Sequence, residues 1–193
     1  MATQQRRERE RARRASLIVS AAREMAEAEG WDSVTIRKLA DRIEYSQPVL
    51  YGHFAGRGAI VDAVALEGFE ELAESMERAR TSAEDGGELE AMAQAYLDFA
   101  AAKPAVFEAM FTLAEGLQFG DEALEPLKAG FASLYAVFAP LAGEGQDPET
   151  LTETGWAAIH GLATLNRDGR LRPGLQSQRL QILLQRFRGG SGA

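Results

Sequence analysis

Apolar side chains recur at every third or fourth position along most of the chain. This spacing predicts helices, and the alternation of apolar and polar residues that is typical of strands is nearly absent. We therefore predict an all-α fold. The first helix is predicted over residues 9–28, with Leu17, Ile18 and Met25 on its apolar face, and it ends at Gly30.

Two shorter helices are predicted after the first one. Thr35 is expected to cap a helix over Ile36–Arg42, residues 43–45 form a tight turn, and Ser46 is expected to cap the third helix. Pro48 fits the first turn of that helix, because the backbone N–H that it lacks would have no helical partner there. Three short helices with a tight turn between the second and the third are typical of a helix-turn-helix.

The rest of the chain is predicted to form a helical body. Its first helix has an apolar stripe on one face, segment 116–126 is irregular, and Asp147 caps the helix that starts at Pro148. The predicted helices of the body lie at residues 60–80, 89–102, 104–113, 126–140, 148–168 and 175–188, before a tail at 189–193 that is predicted to be disordered.

Charge is distributed unevenly along the chain. Residues 1–60 carry 11 Lys and Arg against 8 Asp and Glu, whereas the remaining residues carry 10 against 21. The net charge of -8 therefore hides a basic first part, which is densest in the arm at residues 1–14. The arm is either a solvated helix start or a surface for a polyanion, and the sequence leaves both interpretations open.

Composition narrows the class of protein. With 46% hydrophobic residues the chain can bury a core, and no apolar run approaches the length of about 20 residues that spans a membrane. The N-terminus lacks an apolar signal sequence, so we expect a cytoplasmic protein. Cysteine is absent, the two histidines lie in different modules, and no nucleophile, phosphate-loop or metal motif occurs. We therefore expect no enzymatic activity, no cofactor and no metal.

The third predicted helix carries side chains that suit DNA. Leu50 and Phe54, four residues apart, are predicted to face the core. The side chains left for other faces are those of Gln47, Pro48, Val49, Tyr51 and His53, and Gly52 has none. In a major groove the Gln47 amide would bond an adenine edge, and Pro48 and Val49 would contact a thymine methyl. The tyrosine and histidine would donate to phosphates, and the glycine would let the backbone approach closely. Alternatively, these residues only close a small helical bundle.

Segment 35–64 resembles the DNA-binding head of the TetR (tetracycline-repressor) family. The residues that carry the resemblance are Thr35, Ala40, Ser46, Leu50, Tyr51, His53, Phe54 and Arg57. The family usually has glycine in the turn where this chain has Glu44, so a carboxylate stands near the predicted DNA face. Besides the third helix, we expect DNA contacts from Thr35, Arg37, Ser46 and Arg57.

The resemblance also implies an assembly and a mechanism. Members are all-helical homodimers, so we expect two heads on double-stranded DNA at a pseudo-palindromic operator. The head is predicted at residues 1–56, and an effector-binding and dimerisation domain at 57–188, whose last two helices pair with their copies. We expect a repressor that a small organic effector releases, with no membrane association. The alternative is a coregulator of the same fold that binds a partner and responds little to any effector.

Segment 155–165 resembles the Trp-His-Gly motif of one TetR C-terminal subfamily. His160 is open to three interpretations: a core histidine, a polar contact to the effector, or part of the dimer seam. Gly161 fits a close approach between helices. Most aromatic residues of the body are core, but an organic effector would be surrounded by such residues. The predicted effector-binding residues are Tyr96, Phe107, Met110, Phe111, Tyr135, Trp156 and His160.

Overall fold

Every regular element of the described chain is helical, which confirms the all-α prediction. The computed structural model describes residues 2–120 and 122–189. The predicted tail therefore lies outside the described residues, apart from Gly189 at the end of the last helix. The α-helices are α1 (Ala2–Glu29), α2 (Ile36–Arg42), α3 (Gln47–Tyr51), α4 (Arg57–Thr81), α5 (Glu88–Ala102), α6 (Pro104–Glu108), α7 (Glu125–Phe138), α8 (Pro148–Arg167) and α9 (Gln176–Gly189).

Shorter helical turns connect some of these helices. Trp31–Ser33 and Ala139–Leu141 are 3-10 turns, and Ala109–Leu113 is a π-helical turn directly after α6. The body helix predicted over 104–113 is thus interrupted after Glu108. The last predicted body helices are present with small shifts at their ends, and Asp147 caps α8 as predicted, since its carboxylate accepts from the Thr150 N–H at 2.7 Å.

Helix α1 begins at Ala2, well before the predicted start at residue 9. Arginine and glutamate are good helix formers, and charges four residues apart support the arm. Arg14 and Glu10 form such a pair at 3.1 Å. The basic arm is therefore a helical continuation of the first helix, with no break between it and the buried part that starts at Ile18.

The chain divides into two compact units. The first contains the described residues up to Gly68 together with Lys103–Gln118, and the second contains Phe69–Ala102 together with the described residues from Phe119 onwards. By their contacts, the start of α4 and all of α6 therefore belong to the same unit as α1, α2 and α3. The functional border that the sequence suggests after residue 56 stays a prediction.

Trp31 is the centre of the first unit. Its side chain is 4% exposed, and its indole N–H donates to the carbonyl of Ala105 at 2.7 Å. The carbonyl of Trp31 accepts from the guanidinium group of Arg57 at 2.9 Å, and the same group lies 5.9 Å from the indole ring centre. One residue therefore joins the end of α1, the start of α4 and the start of α6.

Helix α6 is held to α1 by a second contact. The carboxylate of Glu27 accepts from the backbone N–H groups of Ala105 at 3.2 Å and Val106 at 3.1 Å. These donors belong to the first turn of α6 and have no partner within the helix. Lys103, at the N-cap position, makes no side-chain cap bond. Glu27 therefore supplies from α1 the cap that the local sequence lacks.

Gly68 allows α6 and the π-helical turn to approach α4 closely. A Cβ atom at this position would overlap the side chain of Val106 and crowd the sulfur of Met110. Both side chains are buried, at 0% and 2% exposure. Glycine is thus required here by space, because its backbone does not have a positive φ.

The second unit is a bundle of α5, α7, α8 and α9 with the second half of α4. Phe138 is fully buried, and its ring lies where a side chain at Gly155 would stand. The same ring meets Phe187 edge-on, with ring centres 5.2 Å apart. Leu180 and Leu184 of α9 are 2% exposed, as the apolar face of that helix predicts. None of the described helices is both long and apolar enough to cross a membrane.

We expect Trp31→Phe to lower the free energy of unfolding by about 1–3 kcal/mol. Phenylalanine keeps an aromatic ring in the core but leaves the buried carbonyl of Ala105 without its indole donor. The measurement is urea denaturation followed by circular dichroism. Tyr51→Phe is the matched control, since it removes a polar atom from an exposed ring of the same unit. Equal stability of the two variants would contradict the role given to this hydrogen bond.

Candidate functional site

The second and third helices have the geometry of a helix-turn-helix, and their caps differ. Thr35 caps α2 as predicted, because its hydroxyl accepts from the Lys38 N–H at 3.2 Å. Ser46 occupies the N-cap position of α3, but its hydroxyl makes no cap bond. Pro48 offers no N–H, and the N–H of Val49 donates to the backbone carbonyl of Ser46 at 3.0 Å. The predicted side-chain cap at Ser46 is therefore wrong.

The turn between α2 and α3 passes through Glu44 in a left-handed conformation. Its φ of 58° is the one positive value outside glycine in the described chain. The N–H of Tyr45 donates to the carbonyl of Ala40 at 2.9 Å, which closes the end of α2 in the manner of a Schellman motif. A residue with a side chain costs about 1–2 kcal/mol in this conformation. The turn thus keeps the backbone conformation that glycine adopts easily, and the cost is backbone strain at Glu44.

Helix α3 separates its side chains sharply by exposure. Leu50 is fully buried, as predicted, and Phe54 just beyond the helix is half-buried. Tyr51 is 55% exposed, a large aromatic surface left outside the core. Of the predicted DNA contacts, Thr35, Arg37, Ser46, Gln47, Pro48, Tyr51 and Gly52 are exposed, and Val49, His53 and Arg57 are half-buried. The structure therefore leaves most of the predicted contact residues open to a ligand.

Arg57 has an internal role that the sequence did not reveal. Its Nε donates to the carbonyl of Val34 at 3.0 Å, and one Nη donates to that of Trp31 at 2.9 Å. These bonds tie the connection before α2 to the first turn of α4. The predicted phosphate contact stays a prediction, and it depends on the guanidinium nitrogen that these two bonds do not use.

A groove runs between the arm and the end of α3. We call it the arm groove; its volume is about 530 Å³, and it is lined by Arg6, Arg7, Glu10, Arg11, Arg14, Gly52 and His53. Four guanidinium groups face one carboxylate, so the groove favours an anion. Sequence reasoning noted the charge of the arm but did not assign these individual residues. The signal was present in Arg7, Arg11 and Arg14, whose spacing puts them on one helix face.

Three of the predicted effector-binding residues meet in the second unit. The hydroxyl of Tyr96 accepts from the Trp156 indole N–H at 3.2 Å and lies 2.8 Å from Nδ1 of His160. This arrangement favours the neutral imidazole in which Nδ1 accepts and Nε2 carries the proton. Burial lowers the pKa of His160, with a smaller contribution from the charge of Arg167, and burial raises the pKa of Tyr96. The set is therefore neutral near pH 7.

The other predicted effector-binding residues are distributed differently. Tyr135 belongs to the second unit and is 39% exposed. Phe107, Met110 and Phe111 belong to the first unit, where the rings of Phe107 and Phe111 are 4.8 Å apart. Phe107 and Met110 are buried, at 0% and 2% exposure. Among the described residues, no group of three or more His, Cys, Asp or Glu side chains is placed to hold a metal ion.

Two known protein families match separate parts of the chain. Residues 18–64 match the family described as bacterial regulatory proteins, tetR family. Residues 89–187, about half of the chain, match the family described as tetracyclin repressor-like, C-terminal domain. The chain belongs to the TetR family. Membership in the Trp-His-Gly subfamily stays a prediction, and the arm lies before the matched part of the TetR head.

Curated relatives match parts of the chain. Over 93 residues, 48% of this chain and 49% of the relative, it is 33% identical to YobS of Bacillus subtilis, an uncharacterized HTH-type transcriptional regulator. Over 47 residues, 24% of this chain and 22% of the relative, it is 43% identical to the tetracycline repressor protein class G of Vibrio anguillarum. The chain thus spans half or less of the length of these two relatives.

Solved structures share the TetR fold over nearly the whole chain. A protein of unknown function from Rhodococcus sp. RHA1 is 26% identical with a TM-score of 0.74, covering 93% of this chain and 95% of that one. The TetR family transcriptional regulator PfmR from Thermus thermophilus is 16% identical with a TM-score of 0.62, covering 89% of this chain and 97% of that one. At 16% identity the likeness to PfmR shows the fold alone.

We expect the stability of this TetR protein to fall as pH drops, with His160 contributing to the decline. The pKa of His160 is lowered in the folded state, so protons bind the unfolded chain more readily. Its contribution is complete above the ordinary pKa of about 6.5 and is lost as pH falls through the folded value. His160→Gln should therefore flatten the free energy of unfolding between about pH 7 and pH 5. His53→Gln is the control, and an unchanged slope in His160→Gln would place the pH sensitivity elsewhere.

Proposed function

We propose that this chain is a DNA-binding transcriptional regulator that reads a pseudo-palindromic operator as a homodimer. The observation that carries the proposal is the exposure pattern of α3, in which Leu50 is buried while Gln47, Pro48 and Tyr51 face solvent. A short helix behind a tight turn, with an exposed amide at its start and an exposed aromatic ring at its end, suits a major groove. Family membership supports the same function.

The proposed contacts divide into base reading and backbone positioning. Gln47 would bond an adenine edge, and Pro48 and Val49 would contact a thymine methyl. Phosphates would accept from the remaining side chains, which are those of Thr35, Arg37, Ser46, Tyr51 and His53 and the third nitrogen of Arg57. Gly52, which has no side chain, would let the backbone approach the duplex closely. Binding should accordingly weaken steeply with salt, since each phosphate contact releases counterions.

The proposed dimer rests on the outward faces of α8 and α9. Within the described residues of one chain, a Cβ at Gly161 would meet no atom within 4 Å. Leu165 is 38% exposed and Ile182 is 52% exposed. A glycine with open space beside it and exposed apolar side chains on two neighbouring helices support a two-fold seam with a second copy, in which the same face of each protomer meets its equivalent.

We further propose repression that a small organic effector relieves, with the effector near Tyr96, Trp156 and His160. An apolar surrounding with a few polar groups is typical of such sites. The neutral state of this set favours a flat, mainly apolar effector over an anionic one, because an unpaired charge would be costly there. Effector binding would act only through a difference in affinity between two states of the protein.

The alternative is a coregulator that binds a partner and lacks an effector response. Purified protein that shifts its selected DNA without a partner favours the first proposal. Release of that DNA by aromatic compounds, lost in folded His160→Ala, would place the effector beside this set. Release unchanged in both His160→Ala and Phe111→Ala would place it elsewhere. Absence of any active compound would favour the coregulator.

We expect selection from a random DNA pool to yield a two-fold symmetric motif, and Gln47→Ala to relax it at one base pair in each half-site. Loss of a bidentate base contact costs about 1–3 kcal/mol of discrimination. Gln118→Ala, which removes an amide outside the head helices, is the control. Failure of the wild type to enrich any motif would contradict the proposed function, and an unchanged motif for Gln47→Ala would transfer base reading to another residue.

We expect Ile182→Glu to yield folded monomers, because it places a charge on the exposed face of α9. Leu184→Glu, two positions away on the buried face, should unfold the second unit instead. Light scattering gives the mass and circular dichroism the fold, and Gln181→Glu is the control for a charge on an exposed position. Dimers of Ile182→Glu with full stability would move the seam off this face.

A further inference from the structure

We propose that the arm groove holds the phosphodiester backbone of one DNA strand, as a second contact surface beside the helix-turn-helix. This inference rests on the proposed function and extends it to residues that precede the family match, which begins at residue 18. The arm is a continuous helix rather than a loose extension, so its arginines are presented in a fixed order.

The lining of the groove matches a row of phosphates. Arg7, Arg11 and Arg14 lie on one face of α1, and Gly52 and His53 form the opposite side at the end of α3. Seven residues of helix span about 10 Å. Phosphates of one strand follow each other about every 3.4 Å along the duplex axis. Measured along the duplex axis, the three arginines therefore extend over about three phosphate spacings.

Glu10 is the one carboxylate that lines the groove, and its negative charge offsets one of the four arginines there. It pairs with Arg14 at 3.1 Å, with 53% and 45% of the two side chains exposed. A phosphate would compete with this exposed pair, which is worth little in water. The guanidinium group of Arg14 can thus move from the carboxylate to a phosphate, where bidentate hydrogen bonds are available.

The same arm supplies a matched control. Arg9 and Arg13 have the same charge, helix and four-residue spacing as Arg7 and Arg11, but they do not line the groove. The Nε of Arg9 donates to the backbone carbonyl of Gln5 at 3.3 Å. If the arm attracts DNA only by its net charge, the two pairs are equivalent. If the groove holds a strand, they are not.

The experiment measures the salt dependence of binding to the selected operator for the full chain, for R7Q/R11Q and for R9Q/R13Q. Each lost phosphate contact lowers the slope of log affinity against log salt by about 0.9. We expect the slope of R7Q/R11Q to fall by about two for each protomer, and that of R9Q/R13Q by less than about one. Circular dichroism checks that the arm remains helical in both variants.

Neutral methylphosphonates placed one at a time in the operator locate the strand. We expect two or three adjacent positions to weaken the wild type and R9Q/R13Q but not R7Q/R11Q, which would have lost those contacts already. Equal slopes for the two double variants, or no position that distinguishes them, would overturn the inference while leaving the proposed function intact. Absence of operator binding by the wild type would overturn both.

A final measurement separates DNA from a small anion, which has the same phosphate chemistry. Inorganic phosphate is titrated into the wild type by calorimetry at constant ionic strength. We expect no saturable binding, because a single phosphate cannot contact the whole row of arginines. Saturable phosphate binding that R7Q/R11Q abolishes, with unchanged DNA slopes, would overturn the inference in favour of a small-anion site.

Discussion

The first unit depends on the position of one indole ring. Trp31 is buried, donates to the backbone of α6 and accepts from the side chain that opens α4. Segments that are 26 and 74 residues apart in sequence therefore meet at a single residue. Because Glu27 also caps α6 from the last turn of α1, α6 is bound to the head through its backbone, and the bonds do not depend on its own side chains.

The proposed DNA surface combines strain with exposure. Glu44 holds a conformation that glycine would adopt without cost, and Tyr51 leaves most of an aromatic ring in water. Neither the strain at Glu44 nor the exposure of the Tyr51 ring adds to the stability of the fold. Such departures are expected where a surface is shaped for a ligand, since the rest of the domain supplies the stability that they remove.

The sequence predicted the helices and the buried face of α3, because both follow from local spacing. The burial of Leu50 and the cap at Thr35 are examples, since each can be predicted from residues no more than four positions away. The contacts of Arg57 and Glu27 could not be predicted in this way, since they join residues far apart and one partner is a backbone atom. The grouping of Tyr96 with Trp156 and His160 could be predicted only in part. Trp156 and His160 share a helix face, but the Tyr96 hydroxyl that both contact comes from α5. The side-chain cap at Ser46 is absent because Pro48 removes one of the two N–H donors that such a cap uses, and the other, on Val49, donates to the Ser46 carbonyl.

The close approach at Gly68 has a consequence for how the sequence can change over time. The space that a side chain would need at this position is occupied by Val106, which is fully buried. A larger residue at position 68 therefore needs a smaller one at position 106, together with a shift of the Met110 side chain. Among relatives that keep this packing, the volumes at the two positions should vary in opposite directions, so that residues 38 positions apart evolve as a pair.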